Sequence, residues 1–130
     1  MPLLEWKDSY GVGHSRLDRQ HRELVNLLNQ FSDAVGEGRA AAAQNQALDR
    51  LLRYTGQHFA FEESELRRAG YPGLAAHKRE HDRLLARVAD FSAGKSGRKP
   101  QLVQFLEQWL VDHIRKSDQA YAPYLNQVAV

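Results

Sequence analysis

Apolar residues recur at alternating steps of three and four in four separate stretches of this 130-residue chain, and histidine takes a place in every one of the four seams. Leu17, His21, Leu24, Leu28, Phe31 and Val35 form the first, and Leu48, Leu51, Thr55, His58 and Glu62 the second. The third is Leu74, His77, His81, Leu84, Val88 and Phe91, and the fourth Leu102, Leu106, Trp109 and His113. Such spacing gathers each set on one side of a helix packed in a bundle.

Helix breakers separate the seams: Gly36 and Gly38, then Gly70-Tyr71-Pro72-Gly73, then Gly94 to Pro100. Ser15 with Asp18 resembles a weak capping box, Gly36 and Gly70 suit helix ends, and Pro72 and Pro100 suit first turns. The expectation is one domain over residues 1–130, all-α, folded as an up-down-up-down left-handed four-helix bundle. Its helices span about 15–36, 40–69, 72–93 and 100–117, between an extended N-terminal arm, 1–14, and a short C-terminal segment, 118–130.

The chain has no cysteine, which excludes disulfides, thiolate zinc sites, iron–sulfur clusters and a thiol nucleophile. A net charge of +2 is scattered, with Lys95 to Lys99 its densest cluster, so no basic aromatic face suggests nucleic acid. No apolar run approaches the ~20 residues that cross a bilayer, and residues 1–8 lack the pattern of a secretory signal. A cytoplasmic monomer that neither binds nucleic acid nor inserts in a membrane is expected, with its protein partner, if any, unspecified.

One buried histidine is an ordinary core residue, but five, together with Glu62, need partners for every ring nitrogen. His58 and Glu62 are four apart, as are His77 and His81, so each pair shares a helix face. At ~1.5 Å per residue, distances to the connecting loops put His21, His58, Glu62, His77, His81 and His113 in one zone of the core. Imidazole and carboxylate suit iron, manganese or zinc, and this many donors exceed what one ion needs. Asp118 does not fit the seam: five residues from His113 is a rotation of about 140° on a regular helix. By itself it reads as a solvated carboxylate near a helix end, unless the helix ends, tightens or bulges between the two. His77-Lys-Arg-Glu-His81 matches the H-x-x-E-H pattern of inverted zinc peptidases, with Glu80 as base, but that leaves His21, His58 and His113 unexplained.

The chain resembles the haemerythrins, in particular single-domain bacterial haemerythrins, along nearly its whole length. The resemblance rests on Glu5-Trp6 to Val12-Gly13, Leu17-Asp-Arg-Gln-His21, His58-Phe-Ala-Phe-Glu62-Glu63, His77-Lys-Arg-Glu-His81 with Leu84, and Trp109-Leu-Val-Asp-His113-Ile114 followed by Asp118 and Tyr121. It implies a non-haem di-iron centre, two iron ions with an oxo or hydroxo bridge. One iron would take His77, His81 and His113 and the other His21 and His58, with Glu62 and Asp118 bridging. The resemblance thereby makes Asp118 a ligand and leaves an open position on the two-histidine iron for dioxygen. Leu24, Phe59, Trp109, Leu110 and Ile114 correspond to, or neighbour, positions lining that oxygen pocket, and each also serves as bundle core. Trp6 would cover the site or act as a plain plug, and His14 falls outside the pattern and reads as a surface residue. The expected function is reversible dioxygen binding for storage, transport or delivery, without catalytic turnover. The alternatives are a di-iron oxidoreductase acting on peroxide or nitric oxide, and an oxygen-sensing module for a separate partner.

Overall fold

The computed structural model describes residues 3–92 and 98–128, and among these there is helix and no strand. Four long helices form a bundle: α1 (Ser15–Gly36), α2 (Ala41–Arg68), α3 (Leu74–Ser92) and α4 (Lys99–Asp112). α4 continues through a π-helical turn, His113–Asp118, into α5 (Gln119–Val128). Helix α1 packs on α2 and α4, and α3 packs on the same two, which closes the ring. The expected break at Gly94 to Pro100 falls largely in residues 93–97, outside the described residues, as do positions 1, 2, 129 and 130. No described helix is long and apolar enough to cross a membrane.

The helix ends follow the local chemistry, with corrections to what the sequence suggests. At the end of α1 the left-handed residue is Gly38, at φ +64°, and not Gly36, which remains helical. The Arg39 amide donates to the Ala34 carbonyl and the Gly38 amide to that of Val35. Gly70, at φ +68°, ends α2 in the same way: the amides of Tyr71 and Gly70 donate to the carbonyls of Leu66 and Arg67. Both are paired closures that a residue with a Cβ adopts only under strain. Pro72 lies in the turn ahead of α3 rather than in its first turn, whereas Pro100 does sit in the first turn of α4.

His14, expected at the surface, is the N-cap of α1 in place of Ser15. Its Nδ1 accepts from the Leu17 amide at 3.2 Å, which commits the proton to Nε2, and that nitrogen donates to Glu65 Oε1 at 3.2 Å. Losing a side-chain cap costs about 1 kcal/mol. His14→Ala should therefore lower the unfolding free energy measured in urea by that amount with metal content unchanged, and His14→Asn should recover most of the loss. A metal loss on His14→Ala would show that His14 does more than cap the helix.

The core is divided. Leu24, Leu28, Phe31, Leu51, Phe59, Leu84, Leu106 and Leu110 belong to one large apolar cluster, while Val12, Leu17, Leu66, Tyr121 and Leu125 form a smaller one. The seam histidines lie between them along each helix: His21 follows Leu17 and precedes Leu24, and His81 precedes Leu84. The arm packs on the larger cluster through Leu3, Leu4 and Trp6, and Asn29 clasps it by accepting from the Leu4 amide and donating to the Leu4 carbonyl. Trp6 stands edge-on to Tyr10 at 5.5 Å, with Arg22 at 5.3 Å from its ring.

Candidate metal centre

A polar layer crosses the bundle between the two apolar clusters. His21, His58, His77, His81, His113, Glu62 and Asp118 are all buried, none more than 5 % exposed. Helix α1 supplies His21, α2 His58 and Glu62, α3 His77 and His81, and the π-turn His113 and Asp118. The two carboxylates divide their oxygens between the histidines. Glu62 Oε1 faces Nε2 of His77 at 2.6 Å and of His81 at 3.1 Å, while Oε2 faces Nε2 of His21 at 3.2 Å and of His58 at 3.3 Å. Asp118 Oδ1 lies 3.2 Å from Nε2 of both His77 and His113, and Oδ2 lies 3.1 Å from Nε2 of His21. Potential ligand atoms group accordingly, His77, His81 and His113 with Glu62 on one side, His21 and His58 with the same Glu62 on the other.

Asp118 reaches this layer because of the π-turn. A hydrogen-bonding pattern of i to i+5 expands the helix by one residue per turn, which returns the residue five positions on to the face of His113. The helix does not stop near 117. It bulges and runs on, so the surface position that Asp118 suggests when read alone is corrected to one 1 % exposed.

Groups outside the layer fix the rings. Gln20 Oε1 accepts from His58 Nδ1 at 2.7 Å, Glu63 Oε2 from His81 Nδ1 at 2.8 Å, and Glu80 Oε1 from His113 Nδ1 at 3.2 Å. Donation from Nδ1 leaves the lone pair on Nε2, which in each case points inward. Glu80 thus lies behind His113 rather than on a hydrolytic face, which removes the peptidase pattern. Tyr121, fully buried, donates its hydroxyl to Glu62 Oε2 at 2.8 Å. Gln20, Glu63 and Glu80 each adjoin a seam residue and fall within the motifs quoted above, but nothing in the sequence assigns them to these imidazoles. Aromatic rings press on the imidazoles: Phe59 lies parallel to His81 at 3.6 Å and Trp109 nearly parallel to His113 at 4.4 Å.

The donor set calls for cations. Nε2 of His81 and of His113 stand 3.2 Å apart, each with its Nδ1 proton already given to a carboxylate, and both Asp118 oxygens are buried without a hydrogen bond of good geometry. Burial drives imidazoles toward the neutral form, yet the carboxylates outweigh it on His21 and His77, which rise to about 10, and on His113, which also rises. On His58 burial wins and the value falls. Glu62 and Asp118 are held below the usual carboxylate range in spite of burial, by the imidazoles around them. Donors concentrated in this way collect protons, and those protons are what metal ions displace on binding.

One helical turn from the histidine layer lies a cavity of about 30 Å³, lined by Leu24, Thr55, Phe59, Leu84, Trp109 and Leu110 among others. The Thr55 hydroxyl donates to the Leu51 carbonyl, which leaves the lining apolar. Ile114 is buried in the adjoining core but does not line this cavity, and neither does Trp6.

The chain matches the family model described as Hemerythrin HHE cation binding domain over residues 12–125. It is 41 % identical to a bacteriohemerythrin of Stenotrophomonas maltophilia, covering 99 % of this chain and 88 % of the relative. It is 35 % identical to one of Methylococcus capsulatus, covering 97 % and 99 % respectively. A crystal structure of wild-type hemerythrin superposes with a TM-score of 0.84 at 32 % identity, over 95 % of this chain and 98 % of that one.

Proposed function

Because the chain belongs to the haemerythrin family, we propose that its buried layer holds two iron ions and that the protein binds dioxygen reversibly there, for storage, transport or delivery. The observation that carries this is the division of oxygens: each of Glu62 and Asp118 turns one oxygen to the His77 side and the other to His21. Two carboxylates set in this way suit a pair of ions better than one.

His77, His81 and His113 would hold one iron and His21 and His58 the other, with Glu62 and Asp118 between them. Iron held there would supply reversible two-electron chemistry towards dioxygen. The chain's own contribution is to orient and to exclude water. Gln20, Glu63 and Glu80 hold three imidazoles with Nε2 inward, and Tyr121 occupies one lone pair of Glu62. Leu24, Phe59, Trp109 and Leu110 keep the adjoining cavity apolar, a setting that stays dry at this size and admits a small nonpolar gas. The lining is apolar but for Thr55, whose hydroxyl is engaged by the Leu51 carbonyl, and the Trp109 indole, and this suits a small nonpolar ligand. We place the whole chain in the cytoplasm as a single-domain monomer.

Anaerobically reduced protein loaded with iron should bind two ions per chain and develop a charge-transfer band on exposure to oxygen, reversed by removing the gas. A fully loaded protein whose spectrum ignores oxygen would overturn the reading.

A further inference from the structure

The π-turn that carries His113 and Asp118 is held from another helix. Glu80, on α3, touches it twice: Oε1 accepts from His113 Nδ1 at 3.2 Å, and the hydroxyl of Ser117 donates to the same carboxylate at 2.7 Å from Oε1 and 2.9 Å from Oε2. The Glu80 side chain is 40 % exposed and that of His113 4 %, so the clasp sits at the rim of the α3–α4 seam, behind the imidazole. Regular α-helical geometry would rotate Asp118 about 140° away from His113. The expanded turn therefore sets where Asp118 points, and Ser117 is its penultimate residue.

The other side of the layer has no equivalent. His58 Nδ1 meets the neutral amide oxygen of Gln20, and His21 Nδ1 is buried without a partner. Carboxylates thus stand behind two imidazoles of the three-histidine side, through Glu63 and Glu80, and behind neither of the others.

We propose that Glu80 is a positioning residue of the metal centre: acting through His113 and Ser117, it fixes the imidazole with Nε2 inward and holds the π-turn in the register that turns Asp118 into the layer. The proposal rests on the reading of this layer as a two-metal site. A carboxylate suits the task because both of its partners are donors and it offers an oxygen to each. Glutamine keeps one acceptor for His113 Nδ1 and can donate to the Ser117 oxygen, so it preserves the geometry while removing the charge. Alanine removes both.

The test is a titration of metal-free protein with Co²⁺, followed by visible absorption and by the paramagnetically shifted imidazole N–H resonances. Wild type should take up two ions. Glu80→Ala should weaken the binding step on the three-histidine side by about 10–100-fold, the usual cost of losing an outer partner of a ligating histidine, and weaken the other step, which shares Asp118, by less. One shifted N–H resonance should then exchange faster with solvent, and Glu80→Gln should recover much of the affinity. Superimposable titrations and resonances for wild type and Glu80→Ala would overturn the role of Glu80 while leaving the site standing, as would equal weakening of both steps with loss of helical signal. If wild type takes up no Co²⁺, the site and the role of Glu80 fall together.

Discussion

Glu62→Ala is expected to cost the protein at least one of the two irons proposed for it and to destabilise what remains. Glu62 is fully buried, and its two oxygens meet Nε2 of four histidines and the hydroxyl of Tyr121. It is the one residue shared by both groups of potential ligand atoms. Alanine leaves the Tyr121 hydroxyl without its acceptor and the imidazoles without the carboxylate that offsets them. Removing one partner of a buried ionic group typically costs about 3–5 kcal/mol. Glu62→Gln keeps the volume and an acceptor for Tyr121, so it should recover stability further than metal. Elemental analysis and thermal melts of the purified variants separate these effects. Two irons retained by the alanine variant would remove Glu62 from the site.

The second large effect is expected from the metal itself. Five imidazoles and two carboxylates are packed between two apolar clusters. An ion bound a thousandfold above its Kd contributes about 4 kcal/mol by mass action, a Tm change on the order of 15 °C for a chain of this size. Chelation under reducing conditions should lower the Tm by that order, and readdition of Fe²⁺ should restore it. A melting curve indifferent to the chelator would mean that the layer is stable on its own protons, and the metal would then have no part in holding the fold.

The bundle was legible because its signals are local to each segment. Steps of three and four, interrupted by Gly and Pro, are readable in one stretch at a time, and equal distances from the loops place His21, His58, Glu62, His77, His81 and His113 at one level. The π-turn was harder. Residues 113–118 contain no Gly or Pro, and a helix that gains one residue in a turn leaves no trace in composition. Its trace is one of phase: the seam stops at His113 and resumes through Asp118, Tyr121 and Leu125 at steps of three and four, one position late. The partners behind the imidazoles were not legible. Gln20 to His58, Glu63 to His81 and Glu80 to His113 each cross between helices, and no periodicity within one segment specifies which neighbour a polar flank will meet. His14 was obscured by a better-looking neighbour, since Ser15 is the commoner cap.

The stacking of Trp109 on His113 has an optical consequence. The indole lies 4.4 Å from the imidazole and within 14° of parallel, so its excited state is in contact with whatever electronic state that ring carries. An open-shell ion on Nε2 provides a quenching route that a proton does not. The chain has two tryptophans, and the other, Trp6, lies on the arm against Tyr10. Trp109 emission should thus fall as the layer fills and recover when it is emptied, which makes this indole a built-in gauge of loading.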